Sequence, residues 1–109
     1  MVTPVVGTVV LVRFPFSDLS ASKLRPALVL ADAERGDWVL CQITSQSYVD
    51  SKAIPISQPD FSSGSLTRSS FARPAKLFTA NSGIMVKNIG ELSPVKVKAI
   101  REAVIQLFT

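Results

Sequence analysis

The chain has 109 residues, 47% of them apolar, with a mean hydropathy of +0.32, which is enough for one hydrophobic core and too little for two that fold independently. Twelve Lys and Arg against eight Asp and Glu leave a net charge of +4, and the stretch from Phe61 to Gly90 holds Arg68, Arg73, Lys76 and Lys87 with no acidic residue. Histidine is absent, which excludes the common general acid–base pairs, the Ser-His-Asp arrangement and the usual zinc sites.

Residues 1–12 are apolar but lack a basic leader, are broken by Pro4 and Gly7, and run into Arg13. They read as neither a signal peptide nor a membrane span. Thr8 to Phe14 is rich in β-formers and almost continuously apolar, the pattern of a strand buried on both faces. Pro15 to Leu24 reads as a polar loop. Ala27 to Ala31 is a second buried strand, and Asp32 to Asp37, with Gly36, is a turn. Trp38 to Ile43 is a third strand, with Trp38, Leu40 and Gln42 on one face and Val39, Cys41 and Ile43 on the other. Trp38 reads as core, and Phe14 as packing under the first loop. Ala53 to Ser57 is a short edge strand, since Pro55 removes a ladder donor, and Gln58 to Gly64 is loop. Ser70 to Arg73 and Lys76 to Thr79 are short extended pieces parted by Pro74, and Ile84 to Asn88 is one more. Ser93-Pro94 is an N-cap followed by proline at the first helical position. Val97, Ile100, Val104, Leu107 and Phe108 then recur at helical spacing. The expectation is a single domain over 1–109, mainly β: a small barrel with strands within 8–88 and a C-terminal helix at about 94–108 packed on it. A high apolar fraction in so small a chain points to an oligomer.

Few chemistries remain open. The lone Cys41 lies mid-strand without a histidine to activate it, so it reads as a small buried hydrophobe, and a chain with one cysteine suits a reducing compartment. The eight carboxylates fall mostly in predicted loops with no spacing of a metal cage or a glycosidase pair. What is left is a set of basic and hydroxyl groups, Arg25, Arg68, Arg73 and Lys76 with Thr44, Ser45, Ser69 and Ser70. Such a set suits cleavage of RNA, which carries its own nucleophile in the 2′-hydroxyl and needs chiefly to be oriented and to have charge stabilised on its phosphate. The basic run reads equally as a solvated surface, and Arg73 and Lys76 equally as edge-strand charges that block aggregation.

Several blocks of the chain, in order, resemble a known family. Gly7-Thr8-Val9-Val10-Leu11-Val12, Phe14-Pro15-Phe16-Ser17-Asp18-Leu19, Lys23-Leu24-Arg25-Pro26-Ala27-Leu28-Val29-Leu30 and Ile43-Thr44-Ser45-Gln46 are followed by Ser70-Phe71-Ala72-Arg73-Pro74-Ala75-Lys76-Leu77-Phe78-Thr79 and Ile89-Gly90-Glu91-Leu92. Together they are similar to the MazF/PemK toxins of bacterial type II toxin–antitoxin systems. The resemblance implies an SH3-like β-barrel with a C-terminal helix and a homodimer that binds single-stranded RNA near its interface. It also implies ribosome-independent cleavage of mRNA in the cytoplasm, with no metal or cofactor, and a cognate antitoxin whose acidic, flexible segment blocks the RNA channel.

Residue by residue, Arg25 falls at the family's catalytic arginine and Thr44 at its catalytic threonine. Arg25 then stabilises the developing charge, since a guanidinium holds its proton too tightly to be a ready acid. Ser45, Gln46, Ser70, Arg73, Lys76, Phe16 and Asp18 are the candidates for contact with RNA. Phe78 stands where some relatives carry an arginine, so a second cation has to come from Arg73 or Lys76. Relatives that use a histidine find none here, which leaves the general base open, with Asp18 as a loop candidate. Two other readings stand beside this one: a non-catalytic SH3-like module that binds RNA or a peptide, and a decayed toxin that only binds its antitoxin.

Overall fold

The computed structural model describes residues 2–15, 22–46 and 50–109. Among these lie strands β1 (Thr8–Pro15), β2 (Ser22–Glu34), β3 (Asp37–Thr44), β4 (Ile54–Ile56), β5 (Phe61–Gly64), β6 (Ser70–Asn81) and β7 (Met85–Leu92), then helix α1 (Pro94–Gln106). The seven strands form one antiparallel sheet in the order β4-β6-β3-β2-β1-β7-β5. Its two edges, β4 and β5, are joined by only Ser57 to Asp60. Laid flat, seven strands would span about 29 Å at ~4.8 Å per spacing. The chain from Ile56 to Phe61 reaches at most about 18 Å. The sheet therefore has to curl until its edges approach, and the expected small barrel with a helix on it is formed as a curled half-barrel.

The near-continuous apolar runs are explained by a core on each face. Val9, Leu28, Cys41 and Ile43 pack with Val97 and Ile100 of α1. Their neighbours Val10, Val12, Ala27, Val29 and Leu40 pack with Ala80 and Met85 on the other side. Leu40 and Cys41 thus serve opposite faces, as read from the sequence. Helix α1 begins at Ser93, whose Oγ accepts the Lys96 amide at 3.3 Å, with Pro94 in its first turn. Its apolar stripe is used unevenly: Val97 and Ile100 are buried, whereas Phe108 is 79% exposed. Lys96 fastens the helix to the sheet edge, with Nζ donating to the Pro55 carbonyl at 3.1 Å and lying 3.6 Å from Asp60 Oδ2.

Four expectations need correction. The strands do not end at residue 88, since β7 runs to Leu92, which pairs with Phe61. The stretch around Pro74 is a single strand, because β6 accommodates the proline in a bulge. Between the pairs Cys41↔Leu77 and Ile43↔Ala72, two steps along β3 face five along β6, so the proline's missing N–H breaks no regular ladder. The Cys41 thiol donates to the bulge carbonyl of Arg73 at 3.1 Å. Burial pushes that thiol up to about 12, which keeps it protonated and inert. Next, Gln58 to Gly64 contains a 3-10 turn at Gln58–Asp60 and strand β5. Finally, Ser22 to Leu24, read as loop, opens β2 and pairs with Arg13 to Pro15. No helix among the described residues is long and apolar enough to cross a membrane.

Candidate functional site

The curl leaves a cavity of about 520 Å³, walled by Lys23 to Pro26 of β2, the β3 end at Ile43 to Ser45, the β5–β6 connection from Ser65 to Arg68, and β7. Strand register explains the convergence. Leu11 of β1 faces Pro26 on one side and Lys87 on the other, so Lys87 is set two strands from the Arg25-Pro26 pair although 62 positions separate Arg25 from Lys87 in sequence. The β2–β3 register pairs Ala27 with Gln42. Carried two residues further, it aligns Arg25 with Thr44, and both line the cavity.

The electrostatics are one-sided. Lys23, Arg25, Arg68 and Lys87 line the cavity, and among the described residues no carboxylate does. Thr44, Ser45, Ser65, Thr67 and Ser70 add hydroxyls. Thr44 Oγ1 accepts the backbone N–H of Gln46 at 3.1 Å. A hydroxyl has one proton to give and two lone pairs, so this bond leaves the Thr44 proton available to an acceptor in the cavity. Ser70 is engaged differently. It is 6% exposed, and its Oγ donates to the Arg68 carbonyl at 3.1 Å, which fastens the Ser65–Ser69 connection to β6. Among the described residues no group of three His, Cys, Asp or Glu is arranged to hold a metal ion.

Of the residues singled out in the sequence, Arg25, Thr44, Ser45 and Ser70 come together in the cavity. Gln46 is exposed beside it and supports Thr44 through its amide. Arg73 and Lys76 do not line it. The β6 bulge turns Arg73 to Asp50, with Nε 2.9 Å from Oδ2, and the guanidinium, helped by the Lys52 amide, holds the Asp50 carboxyl below its ordinary range. Lys76 is exposed on β6. Phe16 and Asp18 lie outside the described residues, as does the side chain of Phe14. Lys23, Ser65 and Thr67 were given no site role from sequence, and Arg68 and Lys87 were placed only among the basic residues of the run from Phe61 to Gly90. Lys23 would have been found by extending the Arg25 strand backward. Lys87 depends on the pairing of β1 with β7, which no local pattern announces.

These features define a small curled half-barrel with one C-terminal helix and a cavity lined by cations and hydroxyls. The chain belongs to the PemK-like, MazF-like toxins of type II toxin–antitoxin systems, whose family model matches residues 6–108. A MazE–MazF crystal structure from Deinococcus radiodurans is similar at a TM-score of 0.76 and 18% identity, covering 96% of this chain and 95% of that one. The Mycobacterium tuberculosis toxin MazF-mt6 aligns at a TM-score of 0.71 and 19% identity, over 93% and 95% of the two chains. An endoribonuclease in complex with its cognate antitoxin, from a mycobacterial species, aligns at 0.73 and 16%, over 99% and 95%. Comparison with curated protein sequences gives no match.

Proposed function

We propose that this protein is the toxin of a type II toxin–antitoxin pair and acts as a metal-independent endoribonuclease on single-stranded mRNA. The observation that best supports this reading is the cavity lining: four cations, no carboxylate among the described residues, and a threonine hydroxyl with its proton to spare. A strand laid there has its phosphate between β2 and β3. The 2′-oxygen attacks phosphorus, the bond to the 5′-oxygen breaks, the departing oxygen takes a proton from water, and the products are a 2′,3′-cyclic phosphate and a 5′-hydroxyl. Arg25 meets two phosphoryl oxygens with a planar pair of donors, Thr44 donates to one of them, and Lys23, Arg68 and Lys87 hold neighbouring phosphates. Charge stabilisation by preorganised donors of this kind is commonly the largest catalytic term.

The proton of the 2′-hydroxyl leaves to water or to a group outside the described lining, for which Asp18 remains the candidate. The same basic cavity suits an acidic antitoxin segment as inhibitor, in keeping with the antitoxin complexes among the similar structures. A homodimer working in the bacterial cytoplasm completes the proposal. The test is incubation of the purified chain with single-stranded RNA in EDTA, followed by mapping of the new 5′ ends. Cleavage is expected to persist under chelation and to stop at a site carrying a 2′-deoxy sugar. Loss of cleavage in EDTA with the fold intact rejects the metal-independent route, and saturable binding without turnover assigns a binding module instead.

A further inference from the structure

Strands β3 and β4 lie on opposite sides of β6, and Phe71 of β6 pairs with Thr44 on one side and with Pro55 on the other. The connection that starts at Ser45, directly after Thr44, therefore has to pass from one side of β6 to the other before Ile54 can enter the sheet. Asp50 is where it is fastened. Its Oδ2 accepts Arg73 Nε at 2.9 Å, its Oδ1 accepts the Lys52 amide at 2.9 Å, and its carbonyl accepts the Ala53 amide at 3.3 Å. Both carboxylate oxygens are thus engaged, and the side chain is only 9% exposed. An ion pair so little hydrated is far harder to open than one on the surface, because opening it leaves a charge without water or partner.

Arg73 is itself held in place. It sits in the β6 bulge, where its carbonyl accepts the Cys41 thiol at 3.1 Å, and its neighbour Ala72 pairs with Ile43 of β3 and with Ile54 of β4. One residue of β6 therefore grips the chain on both sides of Thr44: by its carbonyl at Cys41, three positions before, and by its guanidinium at Asp50, six positions after. Thr44 and Ser45, which line the basic cavity, stand between the two grips. Thr44 is also the last residue of β3, and a strand end with nothing holding the chain beyond it opens readily. We infer that Asp50 is a positioning residue: by gripping Arg73 it keeps the start of the β3–β4 connection in place, so that the Thr44 hydroxyl stays aimed into the cavity. The effect on rate rests on the proposed RNA cleavage, whereas the order imposed on Thr44 does not. Arg73 acts through Asp50 and not on a phosphate, which accounts for its place outside the cavity lining. The four cations of the cavity are not held by this pair, so its loss impairs the chemical step and leaves RNA affinity in place.

The experiment measures kcat and KM on one RNA sequence for wild type, Asp50→Ala, Thr44→Val and the double variant, each well below its own thermal midpoint. Asp50→Ala is expected to lower kcat about tenfold with KM within about twofold of wild type. In the Thr44→Val background the same substitution should cost less than about twofold, because the group it positions is gone. Arg73→Gln should resemble Asp50→Ala and add nothing to it. An equal loss with and without the Thr44 hydroxyl, an unchanged kcat, or a rise in KM alone overturns the proposal and leaves the nuclease reading intact. A full further loss from Arg73→Gln on top of Asp50→Ala gives Arg73 a direct role on RNA and also overturns it. Should Asp50→Ala not fold, Asp50→Asn takes its place with a kcat loss of about threefold, since an amide oxygen still accepts both bonds without the charge. If wild type does not cleave, the nuclease reading fails, and methyl NMR of threonine-labelled protein decides the positioning. A shifted, less ordered Thr44 methyl in Asp50→Ala with the Thr79 methyl unchanged supports it, and an unchanged Thr44 methyl overturns it.

Discussion

Arg25 and Thr44 reach the same cavity from two strands by different local devices, and their substitutions should behave differently. Arg25→Ala is expected to lower cleavage by about 10²–10³-fold, the usual cost of losing one preorganised donor. Arg25→Lys should recover little of this, because an ammonium cannot meet two phosphoryl oxygens in one plane. Thr44→Val keeps the shape and β-preference but removes the proton and should fall in rate, while Thr44→Ser should keep most of it; single-turnover rates on one RNA sequence check both. Arg73 serves another purpose. Its guanidinium depresses the Asp50 carboxyl below the usual carboxylate value, and a depressed folded-state value adds stability above the unfolded value of about 3.9 that is lost as pH falls through the folded one. Thermal midpoints should therefore drop more steeply below about pH 4 in wild type than in Asp50→Asn, and the two curves should differ most near neutrality.

Among the elements, β5 and β7 approach closely where Gly64 pairs with Gly90. Gly64 has φ +71, and a Cβ there would collide with the Ile89 carbonyl oxygen, which is backbone and cannot step aside. Gly64→Ala is expected to cost about 1–3 kcal/mol, seen as a lower denaturant midpoint at unchanged m. It should also weaken RNA binding, since β5 leads directly into the cavity wall at Ser65 to Arg68. The first three strands were legible in the sequence because their apolar runs are local and bounded by turns. Strand β6 was read as two pieces, since a proline ordinarily ends a strand and only the pairing with β3 shows the bulge. The strand Phe61-Ser62-Ser63-Gly64 has too little apolar content to be seen, and it exists because β7 is there to pair with it. The site divides in the same way. Arg25, Thr44, Ser45 and Ser70 sit in recognisable blocks, whereas Lys87 acquires its place only from long-range register, and Arg73 loses its expected place to Asp50.

For the whole molecule, four cations around one cavity set the salt dependence of RNA binding. Each phosphate neutralised on a single strand adds about −0.7 to the slope of log affinity against log salt. One chain's cavity thus gives a slope of about −3, or roughly fifty-fold weaker binding between about 50 and about 200 mM salt. A homodimer that lays one RNA across both cavities doubles that slope, so titrations at several salt concentrations count the cavities in use. The sheet order has a consequence in time as well. Strand β1, made first, has β2 on one side at once, but its other side waits for β7, which follows some 70 residues later. During synthesis that outer edge stays open and the cavity lacks Lys87 and Ile89, so the emerging chain carries an unfinished site until β7 has left the ribosome.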